Sequence, residues 1–66
     1  MYIVIEMQTN TDGHVTTLVT EHATLAEAES KYHSVLAYAA IGTLPCHSAA
    51  ILSEEGFCVD SKCYKH

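Results

Sequence analysis

Two hydrophobic periods succeed each other along this chain. Tyr2 to Thr9 steps with period two: Ile3, Ile5 and Met7 fall on one side, Tyr2, Val4, Glu6 and Gln8 on the other. This predicts a half-buried strand whose second face is only partly polar. Asn10-Thr11-Asp12-Gly13 then reads as a hairpin turn, since Asp-Gly supplies the positive φ angles of tight turns. His14 to Glu21, rich in Thr and Val, is expected to pair back antiparallel. From Leu25 the period becomes helical, with Leu25, Ala28, Tyr32, Val35, Leu36 and Ala39 on one side. Thr24-Leu25-Ala26-Glu27 has the spacing of a capping box. Gly42 is read as a left-handed C-terminal stop, with Pro45 close behind. His47 to Leu52 and Phe57 to Tyr64 are two further strands around the turn Ser53-Glu54-Glu55-Gly56. The expected fold is α+β: β-β-α-β-β, a four-stranded antiparallel sheet with one helix packed on one face. Residues 1–66 form a single domain. The pattern leaves the strand order open.

The helix carries more apolar surface than one sheet can cover. Ala26, Ser30, His33, Ala37 and Ile41 make a second stripe, and Val35 to Ile41 contains no charge. Glu27, Lys31, Ser34 and Tyr38 occupy the remaining edge, with Glu27 and Lys31 in the favourable i,i+4 order. Small side chains at Ala26, Ser30 and Ala37, followed by Ile41, suit close approach of another subunit. The expectation is a homodimer or a dimer of dimers.

Size points the same way. Sixty-six residues lie near the lower limit for an unaided core, where disulfides, a metal or oligomerisation usually help. Three cysteines, Cys46, Cys58 and Cys63, are an odd number and do not read as a secreted disulfide framework. No basic leader precedes Tyr2 and no run approaches a membrane span. The chain is expected to be intracellular, its thiols reduced and packed as small core residues. The net charge is −5, the only cations being Lys31, Lys62 and Lys65. General nucleic-acid binding needs a basic stripe that this composition does not supply.

Candidate chemistry is sparse. Cys58-x4-Cys63-x2-His66 with His47 or Cys46 has zinc-ligand types, but strand alternation sends Cys58 and Cys63 to opposite faces. No metal, cofactor or catalytic residue is expected, and the chain reads as a non-enzyme. His33 is the leading candidate for a ligand contact: it lies in the small-residue stripe, where two subunits would build a pocket around it. Tyr38, Tyr2 and Tyr64 are the candidate stacking partners. Lys31 lies about 160° around the helix from His33, so one pocket uses both only across two subunits. His47 joins the candidate set, while His14, His22 and His66 read as turn, strand-end and terminal residues.

The opening Tyr2-Ile3-Val4-Ile5-Glu6, the Thr11-Asp12-Gly13 turn and the segment from Ala28 to Ala37 resemble a group of short proteins encoded by phages and prophages of Firmicutes. His47 and Glu55-Gly56 belong to the same pattern, which covers nearly the whole chain. That resemblance implies a phage protein working in the cytoplasm of the bacterial host. In size and expected assembly the chain is also similar to the phage sponge proteins of anti-defence systems. This second likeness implies that an intersubunit pocket sequesters a nucleotide-derived immune signal, such as a cyclic ADP-ribose derivative, without catalysis. The alternative is an accessory or virion-associated module that binds a protein, including an acidic inhibitor of a host protein.

Overall fold

The computed structural model describes all residues 1–66. Strands β1 (Tyr2–Thr9) and β2 (Val15–His22) form the first hairpin, α1 (Leu25–Ile41) follows, and β3 (Cys46–Ser53) and β4 (Cys58–Lys65) form the second. The sheet is antiparallel throughout, in the order β2-β1-β3-β4. The α+β reading holds, and the structure supplies the strand order: the inner strands of the two hairpins pair with each other, leaving β2 and β4 as edges.

Both hairpins turn in the same way. The N–H of Asn10 bonds to the His14 carbonyl and that of Gly13 to the Asn10 carbonyl, at 2.8 and 3.0 Å. Ser53, Gly56 and Phe57 repeat this pattern at 2.8 and 2.9 Å. Gly13 and Gly56 have φ of 90° and 91°, and no other residue has a positive φ. One left-handed glycine after a type I turn is the three-residue hairpin with a bulge. Asp12 therefore does not share the positive φ expected of the Asp-Gly pair.

The helix starts where its cap predicts. The Glu27 N–H donates to Thr24 Oγ1 at 3.2 Å, the first half of a capping box. Its other end departs from expectation: Gly42 has φ −78° and ψ 175°, extended rather than left-handed. Glycine serves there by close approach, since a Cβ would stand 3.1 Å from the Tyr38 carbonyl oxygen. One orphan carbonyl of the last turn, that of Ala39, accepts from His66 Nε2 at 2.9 Å.

The helix lies over the two central strands β1 and β3. Ala28, Tyr32, Val35 and Ala39 are buried, with Leu25 and Leu36 half-buried beside them, so the first apolar stripe is the core face. Against it pack Val4, Ala49 and Ile51. The strand face under the helix is thus Tyr2, Val4, Glu6 and Gln8. Ile3, Ile5 and Met7, the more apolar set of β1, point away from the helix. The molecule measures 34 × 20 × 14 Å, a slab of two layers whose second sheet face is uncovered. No helix is long and apolar enough to cross a membrane.

Candidate functional site

Two places concentrate side chains with chemical capacity. The first lies under the helix. Register pairs Gln8 with His47 and Glu6 with Ala49, so Glu6, Gln8 and His47 converge on one face across β1 and β3. His47 Nε2 and Glu6 Oε2 are 2.7 Å apart, and Gln8 Nε2 donates to the same oxygen at 2.7 Å. An ionised carboxylate only accepts, so His47 carries its proton on Nε2. Burial pushes the Glu6 carboxyl up, but the hydrogen bonds from Gln8 and His47 and the charges of His47 and Lys31 outweigh it. The net result is a carboxyl held below its ordinary value. The side chains of His47 and Glu6 are 8% and 12% exposed. An orienting carboxylate behind an imidazole is also part of catalytic triads, but no hydroxyl or thiol bonds to this one. The arrangement ties β1 to β3.

The second place is the open face of the sheet. Met7, Ser48, Ala50, Ser61 and Cys63 line a shallow groove of about 440 Å³ there. Around it stand Ile3 and Ile5 of β1, Val15 and Val19 of β2 and Leu52 of β3, with Val15, Val19 and Met7 each at least 40% exposed. At the β4 side the sulfurs of Cys46 and Cys63 lie 3.1 Å apart.

The candidate residues of the sequence do not converge on one site. His33 is exposed on the outer helix surface, its ring tilted against Tyr32 at 5.6 Å between centroids. Tyr38 is 70% exposed and Ile41 81%, and Ala26, Ser30, Lys31 and Ala37 are exposed with them. The second helical stripe is therefore a free surface of the protomer. Tyr2 packs half-buried against the core, whereas Tyr64 sits at the other end of the sheet, opposite His47. Lys62 Nζ lies 5.1 Å from the Tyr64 ring centroid, a cation–π distance. His47 is a buried structural partner of Glu6 rather than an exposed ligand contact. The cysteines are not core residues either: Cys58 and Cys63 are exposed and Cys46 half-buried. A register shift at Ile51/Leu52, opposite the start of β4, also breaks the strict alternation used to separate Cys58 from Cys63.

Glu6 and Gln8 were missed by sequence reasoning. The available signal was a carboxylate following Val4 at period two and a histidine leading Ala49 and Ile51 at period two. Two polar side chains on apolar-patterned strands must find each other if both are buried. No family model, curated protein or solved structure matches the chain.

Proposed function

We propose that this chain is a non-catalytic binding protein that acts as a homo-oligomer, its copies meeting through the open face of the sheet. The observation that supports this is the character of that face. It is apolar across its centre, and its strand positions bear only two charges, Glu21 and Lys65. The other acidic residues sit at the turns, on the helix and under it, so this is the face by which two acidic copies approach with least repulsion. Four strands at about 4.8 Å and eight residues at about 3.3 Å give a face of roughly 500 Å². Two such faces together reach about 1,000 Å², the lower bound of a specific interface.

Light scattering behind a sizing column tests this. The expected mass is a multiple of 7.2 kDa, reduced to the monomer by Val19→Glu, which places a charge in the contact but little strain in the exposed protomer. Ala37→Glu, on the helix stripe, should leave the oligomer intact. Dissociation by Ala37→Glu and not by Val19→Glu would move the interface to Ala26, Ser30, Ala37 and Ile41. Either a monomeric wild type or that reversal overturns the sheet-face reading.

The groove supports a second reading, sequestration of a small ligand between copies. Its volume is of the size that holds small molecules, and Ser48 and Ser61 bring hydroxyls to it. The class implied by the likeness to phage sponge proteins, in size and expected assembly, is a nucleotide-derived immune signal. His33, with Tyr38 and Lys31, serves such a pocket only where copies meet through the helix. Calorimetry against cyclic dinucleotides and ADP-ribose derivatives tests it, and intact oligomer with no heat across the panel leaves a protein-binding accessory role instead.

A further inference from the structure

We propose that Cys46 and Cys63 form a redox pair, closing into an intramolecular disulfide by exchange with a small-molecule disulfide such as oxidised glutathione. The pairing of Cys46 with Lys65 and of Ser48 with Cys63 sets the two cysteines diagonally across β3 and β4 on one face. Their sulfurs are 3.1 Å apart, about 1 Å from a bond length of roughly 2.05 Å. In the single protomer Cys63 is exposed and Cys46 half-buried, so an external disulfide has access when copies are apart. The third cysteine is occupied elsewhere, its Sγ donating to the Asp60 carbonyl at 3.5 Å.

The exchange balances without a metal. One cysteine thiolate attacks a sulfur of oxidised glutathione, the glutathione disulfide breaks, and one glutathione thiolate leaves. The second cysteine thiolate then attacks the protein sulfur of the mixed disulfide, forming the Cys46–Cys63 bond and releasing the second glutathione. Two protein thiols are oxidised, one small disulfide is reduced, and the two thiol protons end on the two glutathiones. The hydrogen bond to Cys46, then burial, then the Cys46 charge push the Cys63 thiol up, so the reaction quickens as the pH rises. The link fastens the β4 edge to the sheet centre. Cys63 also lines the groove, so, resting on the reading of the open face as the contact surface, oxidation would stiffen one margin of that contact.

The full folded chain, reduced and then incubated with oxidised glutathione, provides the test. Its thiol titre should fall from three to one, its intact mass should fall by two hydrogens, and its Tm should rise by roughly 10 °C. Cys58→Ser should still close, and Cys46→Ser should not. The reaction is run on Val19→Glu as well as on the wild type: closure in the variant alone reports cysteines covered by the sheet-face contact, and closure in neither overturns the redox pair. A lasting glutathione adduct, a covalent dimer, or closure in Cys46→Ser would overturn the proposal.

Discussion

Glu6 ties the two hairpins by a side chain: one of its oxygens accepts from Gln8 of its own strand and from His47 of β3. A carboxyl held low in the folded chain makes the folded state the better home for the charged form. Its stabilising contribution is complete above the ordinary value of about 4.5 and is lost as the pH falls through the lower folded value. Glu6→Gln keeps an acceptor oxygen in place for both donors but removes the charge. Urea stability of the wild type should therefore fall more steeply than that of Glu6→Gln between pH 5 and 3. Equal slopes would assign the acid sensitivity to other carboxyls, such as Glu55, which its hydrogen bonds to Ser53 and to its own backbone also hold low. His47→Ala should cost about 3 kcal/mol by leaving a buried carboxylate with one partner, and a loss under 1 kcal/mol would mean that water takes over. The period marks each residue as a polar position on an apolar strand face, but it does not name the pair. Its members are 41 residues apart, and their meeting is fixed by a β1–β3 register that no local pattern encodes.

Elements were easier to read than their contacts, because capping and turn chemistry are local. Thr24→Ala should destabilise by about 1 kcal/mol, since the Glu27 N–H loses its acceptor. Thr24→Ser, which restores the oxygen, should cost much less, and equal losses would place the true cap at another residue. At the turns, nothing stands within 4 Å of a Cβ added to Gly13 or Gly56, so substitution there costs backbone strain alone. Gly13→Ala and Gly56→Ala should each lose about 1–2 kcal/mol by chemical denaturation, and a loss near zero would mean that the turn converts to another type. Gly42 shows where local reading fails: a glycine after a helix was expected to be left-handed, but this one is extended, and a Cβ on it would stand 3.1 Å from the Tyr38 carbonyl oxygen. The face of β1 was ambiguous for a related reason. Ile3, Ile5 and Met7 are the more apolar set, yet the helix packs on Val4, with Ala49 and Ile51 beside it in the core.

For the whole molecule, that choice of face has a consequence: the apolar side of the central strand is not covered by the chain's own helix. If the occupant is a second copy, the two charges at strand positions on this face constrain how it docks. Glu21 lies beside Ile3 on edge strand β2, and Lys65 beside Cys46 on edge strand β4, at diagonally opposite corners. A two-fold axis parallel to the face and perpendicular to that diagonal brings each Glu21 over the partner's Lys65. On a face about 14 Å between edge strands and about 20 Å between these residues along the strands, strands of the two copies then cross at about 70°. That is nearer the orthogonal class of sheet packing than the aligned one. In the aligned class Glu21 meets an apolar corner instead. Glu21→Lys and Lys65→Glu should therefore each weaken the oligomer several-fold, with a loss that shrinks in high salt, as expected for charges at a rim. The doubly exchanged variant should recover wild-type affinity, because the swap preserves both cross-subunit pairs. Sedimentation equilibrium of the four proteins at two salt concentrations measures this. A double variant no tighter than either single one would rule out the crossed arrangement, while leaving the Val19→Glu test of the face itself untouched.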